Sequence, residues 1–418
     1  MAICVKNIAK TSFNLLSKNV FKQFAVVATR QLYAPHTMGM NGYLNARDYV
    51  KSQFLNVENL FFDKMKDFVE KKDESMIFTE DLKTMLHLVE KKPEQLNLLL
   101  KMMKNYNSQN NLRFGSFVFG TVAMRAFYHL NEPELALQAF KDPELTNFFD
   151  QVMSYQLLLD MLYNHGKYAE CREVYNMIKS RTTHGIVHPK NPFIIVIGAC
   201  YQENTEESFK YALDLFKETQ TRDFTTPRRA LTFMGALALK QNNPTIALET
   251  ASLARNARYI DIRCIKIEAY IKLKRIDEII VYFRSSLQQD LANRRKQLYF
   301  KDTIKKVEQL VKDENLDDNS DLVKSLEQIK IHDYVQQTTL DEHISTTIDY
   351  AIARGDDKPW ARRNLFQQNN QHRDNEYDNQ SRIHSNRYPN RSGEENISYD
   401  RNRNYNKSNS RPSLKDVA

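Results

Sequence analysis

The chain has 418 residues, a formal net charge of +8 and 41% hydrophobic residues. With only 10 glycines and 11 prolines, its composition favours helices over sheets and predicts an all-α fold. The four cysteines lie far apart without a CxxC pair, which disfavours a disulfide framework or a zinc knuckle. The longest apolar run, FIIVIGAC at 193–200, is shorter than the roughly 20 residues that cross a membrane, so no membrane span is expected.

Residues 1–33 are predicted to be a mitochondrial presequence (transit peptide). They contain no acidic residue, and their basic residues are interleaved with apolar ones, so they can form a basic amphipathic helix. The basic residues are Lys6, Lys10, Lys18, Lys22 and Arg30. The segment from Arg30 to Tyr33 looks like an arginine-led cleavage site, which places the mature start near Ala34. The alternative is a basic helix that binds a membrane surface or nucleic acid.

Residues 34–78 are expected to form an N-terminal helical cap. Apolar residues recur with helical period from about residue 45 to residue 72, which predicts one long helix there. A repeat protein needs a terminal unit with one polar outer face, so an atypical first helix is consistent with a row of repeats behind it.

Residues 153–190 have the pattern of a helix hairpin. Apolar side chains at positions 155, 158, 159, 162 and 163 follow the helical period, Gly166 interrupts the pattern, and a second periodic run leads through Cys171 to Ile178. One hairpin cannot bury both of its faces, so the pattern requires neighbours at a regular spacing.

Similar hairpins recur over residues 79–285. Small or aliphatic residues that match Cys171 recur every 32 to 41 residues. These anchors are Leu96, Ala136, Ala212, Ala247 and Ile279. Pro93, Pro133 and Pro244 each stand three residues before an anchor, where proline suits the first turn of a helix. The pattern predicts an α-solenoid of helix-turn-helix repeats; the alternative is an irregular helical domain with coincidental spacing.

The remaining residues divide into a second cap and a tail. Residues 286–355 have helical patterns on either side of an acidic break at 313–321, which predicts a C-terminal helical cap. Residues 356–418 contain few aliphatic residues and many Asn, Arg, Asp and Ser, so this basic and polar tail is expected to be disordered.

The repeats resemble those of the pentatricopeptide repeat family. The hairpin at 153–190 begins with Met153-Ser154-Tyr155-Gln156, turns at Gly166-Lys167, and ends with Gly185-Ile186 and Pro189, as such repeats do. The resemblance covers about residues 79–285. It implies a mitochondrial matrix protein that binds RNA, takes part in mRNA processing and mitochondrial RNA maturation, and supports the respiratory chain without being an enzyme.

The resemblance also implies positions that read RNA bases. In longer pentatricopeptide repeat proteins, a polar residue after the usual tyrosine of the first helix contacts about one unstacked base per repeat. Gln156 holds that position here, and the same count back from the anchors gives Thr121 and Thr232. Cys264 and Ile194 fall at the corresponding positions of two other repeats and are not polar, so these two repeats depart from a one-base-per-repeat code.

The basic residues of the repeats are concentrated between residues 222 and 306. This segment has 18 Lys and Arg against 8 Asp and Glu, a distribution suited to neutralising phosphates. The predicted RNA-binding residues are therefore Thr121, Gln156, Thr232, Arg228, Arg229, Arg255, Arg258, Arg263 and Lys266. A set of solvated helix faces is the alternative.

Two functions remain open from the sequence. The first is a non-catalytic protein that binds single-stranded mitochondrial RNA. The second is a helical scaffold that binds proteins of the mitochondrial ribosome or of an RNA-processing complex. No motif for a phosphate loop, a metal protease or a serine hydrolase occurs, so neither catalysis, nor a cofactor, nor a metal is predicted.

Overall fold

The computed structural model describes residues 31–71, 76–109, 117–181, 185–222, 224–256, 258–288 and 296–349. Residues 1–30 of the predicted presequence and the whole tail at 356–418 lie outside them. The predicted all-α fold is confirmed, because within these ranges the strands are two residues long and helices make up most of the chain.

Seventeen α-helices occur in the described ranges. They are α1 (Met40–Phe54), α2 (Glu58–Glu70), α3 (Thr79–Leu88), α4 (Pro93–Ser108), α5 (Gly120–Leu130), α6 (Pro133–Lys141), α7 (Val152–Asn164), α8 (Tyr168–Arg181), α9 (Lys190–Glu203), α10 (Glu206–Thr221), α11 (Arg228–Lys240), α12 (Pro244–Ser252), α13 (Ile260–Lys272), α14 (Ile276–Gln288), α15 (Lys301–Asp313), α16 (Asp321–Ile331) and α17 (Leu340–Ile344). Short 3-10 helices lie at Pro35–Met38 and Pro143–Leu145. The strands β1 (Tyr299–Phe300) and β2 (Val335–Gln336) pair in parallel.

The helices form an α-solenoid of hairpins. The odd-numbered helices from α1 to α15 are the first helices of the hairpins, and each packs against the next first helix along the chain. The even-numbered helices are the second helices. Each hairpin therefore contacts mainly its neighbours, as in other repeat proteins.

The repeat anchors and the prolines lie where the sequence predicts them. Ala136, Cys171, Ala212, Ala247 and Ile279 are fully buried. The three prolines stand at the first position of α4, α6 and α12, where the missing N–H would have no helical acceptor. The acidic break also falls between two helices, because α15 ends at Asp313 and α16 begins at Asp321.

The expected single helix over residues 45–72 is wrong, since two helices occupy this region. A turn at 55–57 separates α1 from α2, and the Phe54 and Phe61 rings pack edge to face across it, 5.5 Å apart. Helical periodicity continues through such a turn because both helices present apolar residues to the next hairpin. α1 packs against α3 and α2 against α4, so this pair extends the solenoid.

The first helices in the middle of the solenoid are buried on every side. Ten consecutive residues are buried in α7 (154–163), in α9 (192–201) and in α11 (230–239). A helix that is covered on one side alone would expose every third or fourth residue. The surface formed by the first helices, here called the first-helix face, is therefore closed over these helices.

Two chain segments lie against the first-helix face. The N-terminal strap, residues 31–39, includes the 3-10 helix and packs against α1 and α7. The C-terminal strap, residues 340–349, includes α17 and packs against α11 and α13. The straps pair with each other: Ala34 N donates to Ile348 O at 3.2 Å, and Ile348 N donates to Leu32 O at 2.8 Å.

Candidate nucleic-acid interface

Arg228, Arg255 and Arg258 come together at one edge of the solenoid. They lie in or beside the two loops that lead into α11 and α13, and all three are exposed. The loops contact each other, because Arg255 Nη2 donates to Thr225 Oγ1 at 3.2 Å. These three arginines and Tyr259 are here called the basic edge.

Tyr259 adds an aromatic surface to the basic edge. It is 39% exposed, and the Arg228 guanidinium lies over its ring, 4.2 Å from the ring centre. Arg228 Nη1 is also 3.5 Å from Asp261 Oδ2, a fully buried carboxylate that helps to position the guanidinium. An exposed ring beside several cations suits a nucleotide, whose base stacks on an aromatic ring while its phosphate attracts the charges.

Two helix N-termini reinforce the positive charge of the basic edge. α11 begins after Pro227 and α13 after Tyr259, and neither N-cap side chain accepts a hydrogen bond from the first helical turn. The helix dipole favours an anion at each of these helix starts. At α13 the first-turn residue Asp261 already supplies one, because its Oδ1 accepts from Ile262 N at 2.9 Å. The loop at 253–259 contains no acidic residue of its own.

The other predicted basic residues are not exposed at this edge. Arg229 is half-buried beneath the C-terminal strap and donates to Thr346. Arg263 is 2% exposed, and it joins consecutive repeats by donating to Gln297 Oε1 at 2.8 Å and to Arg258 O at 3.2 Å. Lys266 is half-buried, and burial lowers the pKa of its ammonium group.

The predicted base-reading residues lie among packed helices. Gln156 is 1% exposed, and its Oε1 accepts from Asn191 Nδ2 at 2.8 Å. Thr232 is fully buried and donates to Asp261 Oδ2 or Arg228 O, at 2.9 and 3.0 Å. Thr121, in the first turn of α5, is half-buried. None of these three side chains is therefore exposed at the basic edge, although Thr232 lies buried beneath it through its contacts with Arg228 and Asp261.

Sequence reasoning missed Tyr259 and both straps. The signal for Tyr259 was available in LARNARY at 253–259, where an aromatic residue follows two arginines in a polar loop. A weaker signal for the straps was the apolar character of α9 and α11 on all sides, which requires a cover on the face turned away from the second helices.

No helix in the described ranges is long and apolar enough to cross a membrane. Among the same residues, no group of three His, Cys, Asp or Glu side chains is arranged to hold a metal ion. The described cysteines, Cys171, Cys200 and Cys264, are buried thiols, and burial raises the pKa of each.

Comparisons with known proteins support the resemblance to pentatricopeptide repeat proteins. No protein-family model matches the chain. The chain is 36% identical over 183 residues to pentatricopeptide repeat-containing protein 2, mitochondrial, of Danio rerio. This alignment covers 44% of this chain and 46% of that protein. The protein of the same name from Xenopus laevis is 30% identical over 191 residues, or 46% and 48% of the two chains. The human one is 28% identical over 240 residues, or 57% and 61%.

The alignments with the Danio and Xenopus proteins span about half the length of each. The resemblance to a mitochondrial pentatricopeptide repeat protein is thereby confirmed, and it agrees with the helical hairpins of the solenoid.

Proposed function

We propose that this protein binds single-stranded RNA in the mitochondrial matrix, and that it holds the RNA at the basic edge. The single observation that carries the proposal is the Arg228 guanidinium over the exposed ring of Tyr259, with Arg255 and Arg258 exposed in the loop that leads to this ring. The arginines bind phosphates and the ring supports a base, which is the combination that single-stranded nucleic acid requires. The names of the relatives supply the mitochondrial location.

The proposed binding relies mainly on the phosphate backbone. Gln156 and Thr232 are already hydrogen-bonded to protein groups, so base reading by them would need these contacts to open. Arg263 supports the basic edge indirectly, because it donates to Arg258 O and to Gln297 Oε1, whereas Arg229 holds the C-terminal strap.

Beyond RNA binding, the proposed role is non-catalytic and lies in RNA maturation. A protein that coats a segment of transcript protects it or presents it to processing enzymes, and a defect then lowers the supply of respiratory-chain subunits. Cells without this protein are expected to accumulate unprocessed mitochondrial transcripts, which RNA blotting measures. Normal transcript lengths in such cells would contradict this role.

The test of RNA binding is a salt titration with the full-length chain and a mixed-sequence single-stranded RNA. Changing Arg228, Arg255 and Arg258 to Ala is expected to weaken binding by about tenfold or more, and to reduce the slope of log K against log salt by up to about 2. The control variant loses the same number of positive charges at three exposed lysines elsewhere, through Lys190→Ala, Lys210→Ala and Lys217→Ala. It is expected to bind like the unchanged protein. Equal losses in both variants would contradict binding at the basic edge.

A second candidate is a protein-binding scaffold. The observation in its favour is the exposure of Tyr49, Leu55 and Leu60 on the first hairpin, at 63%, 76% and 69%. Three large exposed apolar side chains on one terminal hairpin are unusual for a surface without a partner, and contiguous exposed apolar surface marks protein contacts. RNA binding that is absent at low salt would favour this second function, with ribosomal or RNA-processing proteins as the partners.

A further inference from the structure

Burial of the N-terminal strap begins abruptly at Leu32. Gln31 is exposed, whereas Leu32 and Tyr33 are 1% and 0% exposed. Leu32 lies beside Gly198 of α9, where an added Cβ would be 3.6 Å from Leu32 Cδ2. The two residues after Gln31 are therefore part of the folded core, although they stand within the arginine-led segment at which the presequence is expected to end.

Tyr33 supplies a hydrogen bond to a deeply buried carboxylate. Its backbone N–H donates to Asp160 Oδ1 at 3.2 Å. Asp160 Oδ2 accepts from Tyr128 Oη at 3.0 Å and from Asn164 Nδ2 at 2.9 Å. Asp160 is fully buried, and a chain that lacked Tyr33 would leave Oδ1 without this donor, which is costly in the interior.

The same two residues hold the C-terminal strap. Leu32 O accepts from Ile348 N, and the backbones of Tyr33 and Ile348 form a parallel bridge. The next hydrogen bond upstream joins Thr347 Oγ1 to Gln31 O at 3.1 Å and is exposed. A cut after Gln31 thus preserves both backbone hydrogen bonds between the straps, while a cut after Tyr33 removes one of them together with the buried side chains.

We propose that the presequence is cleaved at the Gln31–Leu32 bond, so that the processed chain keeps Leu32 and Tyr33 as the start of its N-terminal strap. This position differs by two residues from the expected mature start near Ala34. Because both residues are buried after folding, the protease acts before the strap docks. The inference rests on the mitochondrial location proposed above but is independent of RNA binding.

The test is import of the full-length precursor into isolated mitochondria, followed by N-terminal sequencing of the imported protein. We expect a new terminus at Leu32. A terminus at Ala34 or further along the chain, or an uncut chain inside the organelle, would overturn the assignment while leaving the mitochondrial location intact. If the precursor did not enter at all, both the assignment and the proposed location would be wrong.

A second measurement tests the role of the two residues in the fold. Chains that begin at Leu32 and at Ala34 are compared by thermal unfolding, with a chain that begins at Arg30 as the matched control. We expect the Ala34 chain to melt lower by about 5 °C or more, or to fail to fold, and the other two to melt together. Equal melting temperatures for all three chains would contradict a core role for Leu32 and Tyr33.

Discussion

The first-helix face and the basic edge use the same two helices, α11 and α13, for opposite purposes. On the first-helix face, the side chains of these helices pack against α17 and the neighbouring repeats. At the basic edge, the first turns and the preceding loops leave Arg228, Arg255 and Arg258 exposed. Helix interiors thus stabilise the solenoid, and the loops between these repeats place charged groups at the surface.

The first prediction is that loosening the C-terminal strap destabilises the fold without changing RNA binding at the basic edge. Ile344 is fully buried, and Ile344→Ala is expected to lower the free energy of unfolding by about 2–5 kcal/mol, because it leaves a cavity. RNA affinity at the basic edge is expected to stay within about twofold. Urea unfolding and the RNA titration measure the two quantities.

Ile331→Ala is the matched control for this change. Ile331 is 70% exposed, so its loss is expected to alter the free energy of unfolding by about 0.5 kcal/mol or less. If both variants unfolded alike, the strap would not be a stabilising part of the first-helix face.

The second prediction concerns pH and the buried carboxyl group under the N-terminal strap. Burial raises the pKa of Asp160 to about 7, although hydrogen bonds from Tyr128, Asn164 and Tyr33 oppose this rise. The folded chain then keeps a proton that the unfolded chain releases above its ordinary pKa near 4. The free energy of unfolding is therefore expected to fall by up to a few kcal/mol as the pH rises from about 4 to about 7, and this contribution stays lost above that pH.

Urea unfolding between pH 5 and pH 8 measures this effect. The Asp160→Asn variant has no carboxyl proton to lose, so the part of the decrease in the free energy of unfolding that is due to Asp160 is expected to be absent from this variant. A variant with the same pH dependence as the unchanged protein would show that another group is responsible.

The third prediction, with the smallest expected effect, concerns the aromatic ring of the basic edge. Tyr259→Ala is expected to weaken RNA binding by about 1–3 kcal/mol, because it removes the stacking surface. Tyr259→Phe keeps the ring and is expected to bind normally, which fluorescence anisotropy with labelled RNA measures. Tyr49→Ala, at an exposed tyrosine of the first hairpin, is the control. A loss in Tyr49→Ala as large as that in Tyr259→Ala would argue against a specific site.

The sequence predicted the repeats because their causes are local. The helical period, the small residue at Cys171 and the prolines at helix starts each act within one hairpin, and each lies at its predicted place. The break between α1 and α2 was missed because the apolar period crosses the turn without a glycine or proline to mark it.

The candidate site was predicted only in part. Charge counting singled out residues 222–306, and three arginines of this segment, Arg228, Arg255 and Arg258, lie in or beside the loops of the basic edge. It could not distinguish them from Arg263, whose guanidinium is enclosed between repeats and lies 4.9 Å from the centre of the Tyr299 ring. Neighbours from the next hairpin decide whether an arginine is exposed, and the local pattern does not contain them.

By itself, the sequence determined the all-α class, the hairpin repeat and the basic character of the segment at 222–306, since these depend on residue type and spacing along the chain. Only the tertiary structure decided which surface is open. The straps are joined by hydrogen bonds between residues more than 300 positions apart, such as Leu32 and Ile348, and together with the repeat packing they close the first-helix face. Pairing at that distance depends on how many hairpins the chain stacks and how they curve, a property of the assembled solenoid rather than of any one segment.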